Sequence, residues 1–277
     1  MFFPSLLIAP VCVRARRYFA GLGLLGLAFA AQASVVITGT RIIYPAPARE
    51  VSVQIKNVGT VPALVQVWLD RGDDSAQPGS AAAQTPFVLT PPIARLEPKR
   101  GQTIRLVYSG EEILPADRES LFYFNLLDIP PKPTDASEQV AERNMLQLAV
   151  RSRLKLFYRP EALKKLSSDA AWKQLVWRVV ADKNDAVALE LENPSPFHVN
   201  VQRVDALSQD AAALGAEALA QTLVLAPFAS ERVEVPAGGV RAQLAKASAL
   251  RLQIINDYGG VSLIDVPQAA AAVQTQP

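Results

Sequence analysis

The chain has 277 residues, half of them hydrophobic, with 21 prolines and a formal net charge of +2. That length holds two domains of ordinary size, and the apolar fraction excludes a largely disordered protein. Prolines spread along the whole chain argue against long helices.

The first residues have the layout of a secretory signal peptide. Arg14, Arg16 and Arg17 form a basic region, Tyr18 to Ala30 an apolar run, and Ala31-Gln32-Ala33 an A-x-A site. Residues 1–33 are therefore expected to be removed, leaving Ser34 first. The apolar run is shorter than the roughly 20 residues of a membrane helix and no later segment reaches that length, so no membrane insertion is expected. Removal takes away three arginines and no acid, turning the charge from +2 to −1. The excess or concentrated patch of Lys and Arg that marks nucleic-acid binders is then missing. Cys12, the only cysteine, leaves with the signal. Disulfide-stapled and cysteine-ligated metal folds are thereby excluded.

From Ser34 to Tyr158 the chain reads as short strands divided by turn residues. VVITGTRIIYP is rich in β-formers, VSVQIKN alternates Val51, Val53 and Ile55, Asn57 to Pro62 is a turn, and ALVQVWLD is the next strand. Residues 71–84 form a polar loop whose RGD triplet reads as an exposed turn. FVLTPP, TIRLVY and SLFYFNLLDI follow as strands, then the loop PKPTDASEQVAER. After Pro160, EALKKLSSDAAW reads as helical or linking. WRVV, AVALELEN, HVNVQRVDAL, QTLVLAPFASERVEV and LRLQIINDYGG alternate again as strands. AAALGAEALA at 211–220 is either a short helix or a loop within a sandwich, and the loop is preferred. Residues 268–277 form a low-complexity, disordered tail.

This pattern predicts an all-β chain of two immunoglobulin-like sandwiches, over residues 34–160 and 161–267. No catalytic site is legible. His198 is the only histidine, without a G-x-S-x-G elbow to serve, and it reads as an edge-strand or turn residue. One histidine among scattered carboxylates makes no metal site, and no phosphate-binding loop is present. No cofactor is expected.

The most informative stretch is NMLQLAVRSRLKLFYRP at 144–160. Leu146, Leu148 and Val150 share one face of a strand, and Arg151, Arg153 and Lys155 follow as a basic run. By itself this could be the last strand of a sandwich. Together with GTRIIYPA, TPPIARLEP, GQTIRLVY, RESLFYFNLLDIPPKP and NDYGG, in that order along the chain, it resembles the PapD-like periplasmic pilus (fimbrial) assembly chaperones. The match is dense over 35–160 and sparse beyond. The short loop before 144 and the lack of a cysteine pair resemble the family's short F1–G1 loop members.

The resemblance implies two sandwiches set at an angle with a cleft between them. It also implies a periplasmic chaperone that binds pilus subunits and delivers them to an outer-membrane usher. Arg41 and Lys155 would grip the subunit's C-terminal carboxylate, each charge-assisted bond contributing roughly 1.5–3 kcal/mol. Asn144, Leu146, Leu148 and Val150 would form the donor strand that fills the subunit's open core. Three buried apolar side chains contribute about 5–9 kcal/mol before ordering costs. Glu119, Arg159 and Asp257 would be interdomain ion pairs that hold the angle. The same sticky edge makes a self-capping homodimer plausible in the free protein. Two other classes stay in view. A structural immunoglobulin-like pilus or adhesin subunit would need a donor extension and usually a disulfide. An enzyme or sugar-binding module would need an acid pair or aromatic platform, and Trp68, Trp172 and Trp177 are too dispersed to claim one.

Overall fold

A computed structural model of the chain describes residues 34–131, 148–181, 187–210, 212–214, 218–235 and 238–268. The strands of the first half are β1 (Val35–Ile37), β2 (Arg41–Pro45), β3 (Val51–Asn57), β4 (Ala63–Asp70), β5 (Phe87–Thr90), β6 (Ile93–Leu96), β7 (Gly101–Tyr108), β8 (Ser120–Ile129) and β9 (Val150–Arg159). They form two sheets, ordered β1-β3-β7-β5 and β2-β9-β8-β4-β6. All pairings in them are antiparallel except β2 with β9.

Alternation builds the core between these sheets. Val53 and Ile55 of β3 and Ile104 and Leu106 of β7 face Val65, Val67 and Leu69 of β4 and Phe122, Phe124 and Leu126 of β8. β2 adds Ile42 and Tyr44, and β9 adds Leu156 and Tyr158. Tyr44 and Phe87 meet edge-on at 5.4 Å and Phe87 and Phe122 at 5.1 Å, pairs worth about 0.5–1.5 kcal/mol each beyond their burial. The outer face of β4 is also covered at its end, where Trp68 and Asp70 are buried.

The second half carries β10 (Val176–Ala181), β11 (Val187–Asn193), β12 (Val199–Leu207), β13 (Ala220–Leu225), β14 (Ala229–Val235), β15 (Ala249–Ile255) and β16 (Val261–Pro267). Their sheets are ordered β10-β11-β14 and β13-β12-β15-β16 around Trp177, Leu189, Leu191, Val204, Leu250 and Leu252. Trp177 Nε1 donates to Val266 O at 3.0 Å, tying one sheet to the other through the core. The architecture is nearly all β, two sandwiches as expected.

Several local readings differ. VVITGTRIIYP is two strands in different sheets, because the chain turns at Gly39 with φ +96°. FVLTPP stops at Thr90, and the chain crosses at Pro91-Pro92 to make β6 in the opposite sheet, since proline nitrogens cannot continue a ladder. QTLVLAPFASERVEV divides at the Ala226–Phe228 corner into β13 and β14, again in different sheets. An unexpected helix, α2 (Gly239–Lys246), follows, while residues 161–172 hold a 3-10 turn at Glu161–Leu163 and the short helix α1 (Ser168–Trp172). Within 211–220, the described residues 212–214 and 218–219 carry no helix. Residues 1–33 and 269–277 lie outside the described residues.

Leu163, Ala171 and Phe197 form a third, small cluster at the junction of the two sandwiches. Glu119 N donates to Pro196 O at 2.9 Å, so the two domains also share a backbone hydrogen bond. At the same junction the β15–β16 hairpin turns through Gly259, with φ +83°, against Thr40; a Cβ on Gly259 would overlap Thr40 Oγ1.

Candidate functional site

β9 has two different faces and two different edges. Leu154, Leu156 and Tyr158 turn toward the core, while on the same side Val150 is 45% and Leu148, just before the strand, 66% exposed. β8 pairs with β9 along its whole length, from Asp128 opposite Val150 to Ser120 opposite Tyr158. β2 pairs only with Lys155 to Arg159. The outer edge of β9 from Val150 to Leu154 therefore carries no partner strand among the described residues. Asn144 and Leu146, the other expected donor residues, lie outside the described residues.

The second face of β9 carries Arg151, Arg153, Lys155, Phe157 and Arg159. Parallel pairing places Arg41 of β2 directly beside Lys155. Arg41 Nη1 donates to Ile255 O of the second domain at 2.8 Å, its guanidinium lies 5.7 Å from the Phe157 ring centroid, and its buried Nε has no hydrogen-bond partner. Lys155 Nζ makes no hydrogen bond or ion pair among the described residues. Burial lowers the Lys155 ammonium below its ordinary value, and the charge of Arg41 lowers it further. Burial likewise lowers Arg41, countered by the charges of Asp257 and Glu119. Two cations side by side, half-desolvated and without a direct ion pair among the described residues, are an arrangement whose charge an anion would compensate.

This pair opens into a cleft of about 320 Å³ lined by Thr40, Arg41, Tyr123, Arg153 and Lys155 from the first domain and Ile255 and Gly259 from the second. A larger surface hollow on the first domain, around Arg71, Gln84 and Glu112, lies away from this pair.

Arg159 joins the other two acidic residues of the expected set. Its Nε donates to Glu119 Oε1 at 2.6 Å, and its Nη1 and Nη2 donate to Asp257 at 2.7 and 2.8 Å. Asp257 also accepts from Ser168 Oγ at 3.0 Å. Burial pushes the Asp257 carboxyl up, but the Arg159 hydrogen bonds and charge outweigh it and hold the group below its ordinary value. Glu119 and Arg159 belong to one domain and Asp257 to the other.

Residues that the sequence reading missed complete the junction. The His198 side chain is only 8% exposed: its backbone N donates to Glu119 Oε2 at 2.8 Å, its Nδ1 lies 3.3 Å from the same oxygen, and its ring packs on Phe157. His198 stands in the turn just before β12, in keeping with its reading as an edge-strand or turn residue; its contact with Glu119 across the junction is what the sequence did not show. Asp70 is a second omission: wholly buried, it sits between Arg151 and Arg153. No local pattern marks either one, because each meets its partners across some 80 residues of sequence.

Two immunoglobulin-like sandwiches that share one basic cleft, with a half-open strand leading into it, define a two-domain binding protein. Residues 34–164 match the family model "Pili and flagellar-assembly chaperone, PapD N-terminal domain", and residues 170–264 match "Pili assembly chaperone PapD, C-terminal domain". The chain belongs to the PapD-type pili assembly chaperone family. It is 43% identical over 228 residues to the probable fimbrial chaperone YadV of Escherichia coli, covering 82% of this chain and 87% of that protein. It is 40% identical over 259 residues to the chaperone protein HifB of Haemophilus influenzae, covering 94% and 92%. The crystal structure of YadV superimposes with a TM-score of 0.62 at 34% identity, over 84% of this chain and all of that one. A Salmonella enterica complex of the SafA pilin with the SafB chaperone matches with a TM-score of 0.65 at 26% identity, over 86% and 98%. The role is that of a chaperone in pilus assembly, which sets aside the pilus-subunit alternative.

Proposed function

We propose that the chain is a periplasmic chaperone that completes the fold of pilus subunits with its own β9 region and passes them to an outer-membrane usher. The observation that carries this reading is the Arg41–Lys155 pair, which makes no ion pair among the described residues, next to a strand edge unpaired among them. A subunit's terminal carboxylate bound there accepts charge-assisted hydrogen bonds of roughly 1.5–3 kcal/mol each. The subunit's edge strands then pair with the open backbone from Val150 to Leu154, and Val150, Leu148 and the segment before them enter its exposed core. The protein works by binding and has no catalytic step. SafB, described in complex with a pilin, is a structural neighbour that supports this choice of partner. The signal-like residues 1–33 support the periplasmic location. Glu119, Arg159 and Asp257 hold the two domains so that the cleft stays open.

In the absence of a subunit the same edge caps itself against a second copy, since an unpaired apolar edge associates. The test is co-expression of the chain with a pilus subunit, followed by recovery of the complex from periplasmic extract. Native chain should yield a soluble one-to-one complex and Lys155→Ala very little. Equal recovery from both would refute the carboxylate anchor, and no recovery from either would refute the choice of partner.

A further inference from the structure

β9 offers an incoming carboxylate more than one cation. Arg153 and Lys155 stand two residues apart on the same face, about 7 Å along the strand, and both line the cleft with Arg41. A one-residue slip of a bound strand turns every side chain to the wrong face, whereas a two-residue slip does not. Anchoring at Arg153 is therefore the register error that the strand itself does not forbid.

Charge compensation separates the two sites. Asp70 lies at the end of β4, on the face opposite the core residues Val65, Val67 and Leu69, and is fully buried. It accepts from Arg153 Nη2 at 2.5 Å, from Asn125 Nδ2 at 2.7 Å and from Gly72 N at 2.7 Å, and stands 3.7 Å from Arg151 Nη2. Asp74 pairs with Arg153, and its carbonyl oxygen accepts from Arg151 Nη1 at 2.6 Å. Asn125 Oδ1 accepts from Arg151 Nε and Nη2 at 3.0 and 2.8 Å. The guanidiniums lie over aromatic rings, Arg151 5.0 Å from the Trp68 centroid and Arg153 3.9 Å from that of Tyr123. Farther along β9, Arg159 is matched by Glu119 and Asp257. Among the described residues, Arg41 and Lys155 alone of these five cations make no direct ion pair with a carboxylate; Arg41 feels Asp257 and Glu119 only at longer range.

We infer that Asp70, assisted by Asp74, sets the register of subunit binding: it neutralises Arg151 and Arg153, so that a terminal carboxylate engages only Arg41 and Lys155. Asp70 touches no part of the bound subunit and acts as a positioning residue. This inference rests on the carboxylate-anchor reading proposed above.

Rescue provides the test. Native chain, Lys155→Ala, Asp70→Asn/Lys155→Ala and Asp74→Ala/Lys155→Ala are each co-expressed with the same pilus subunit, and complex is measured against total subunit. Lys155→Ala should lose most of the complex. Freeing Arg153 by Asp70→Asn should restore about tenfold, the worth of one charge-assisted hydrogen bond. A subunit whose terminal carboxylate is buried by added residues should abolish the rescue. Asp74 is exposed, its side chain at 87%, so Asp74→Ala should leave the fold intact and give a smaller rescue in the same direction. Absence of rescue in both double variants overturns the inference while leaving the anchor intact. Full recovery by Lys155→Ala alone instead removes the anchor, and the inference with it.

Discussion

Arg41 and Lys155 stand opposite one another across the parallel β2–β9 pairing, and among the described residues neither meets a carboxylate. The free protein therefore holds two adjacent cations at an energetic cost that a bound anion relieves. Lys155→Ala should leave the stability of the free chain within about 1 kcal/mol of native, because lost packing of the stem is offset by relief of repulsion. Subunit affinity should fall by about 10- to 100-fold in the same variant. Chemical unfolding and complex recovery together check this; parallel loss of both would mean that Lys155 serves the fold.

Alkaline pH should act on the same group. The Lys155 pKa is lower in the folded chain than in the unfolded one, so between those two values the unfolded chain binds the extra proton and stability rises with pH. The cost of the buried charge is present in full below the folded value and is gone above the ordinary lysine range. Subunit binding has the opposite sign, since the anchor needs the protonated ammonium, and it should weaken at a pH where exposed lysines are still charged. Comparing the pH profiles of native chain and Lys155→Ala isolates the contribution; superimposable profiles would refute it.

Asp257 should govern the relation between the domains. Asp257→Asn removes the bidentate partner of Arg159 and leaves that guanidinium with Glu119 alone. The domain junction should weaken by roughly 1–3 kcal/mol without unfolding either sandwich. Small-angle scattering should report a broader distribution of domain angles and co-purification less subunit, and native behaviour in both would refute the role. Because the folded pKa of Asp257 is lowered, its contribution is complete above the ordinary carboxylate range and disappears only as pH falls through the lowered value.

Charge placed on the open edge should separate binding from folding. Leu148 and Val150 are exposed in the free chain, so Leu148→Asp and Val150→Asp should each change its stability by about 0.5 kcal/mol or less. Each should nonetheless abolish recovery of the subunit, because a carboxylate entering an apolar groove has no partner there. Normal recovery by both variants would place the donor contact elsewhere.

The strands of both domains were legible wherever one face is buried and the other wet, as in β3 with Val53 and Ile55 facing inward and Ser52 and Gln54 outward. Changes of sheet were not legible, because Gly39, Pro91 and Phe228 mark corners without saying which sheet the chain joins next. The helix α2 escaped because GVRAQLAK begins with the second residue of a glycine pair and carries no clear apolar stripe. Within the site, Arg41, Lys155 and the Glu119–Arg159–Asp257 set were reached through motifs in which they stand. Asp70 looked like the last residue of a strand before a polar loop. Only the folded sheet brings it to Arg153, 83 residues away. His198 was hidden for the same reason: its partner Glu119 lies in the other domain, and its burial belongs to the junction rather than to either strand pattern.

The closeness of Gly259 to Thr40 has a mechanical meaning. A Cβ at Gly259 would overlap the Thr40 side chain, so closing the domains further requires that side chain to move. A closing pull from the Arg159–Asp257 pair would be resisted at this contact, so weakening the pair should widen the gap between the domains rather than narrow it. A bulkier residue at 259 should open the gap as well, since it would have to displace the Thr40 side chain while holding a backbone conformation, φ +83°, that side chains rarely adopt.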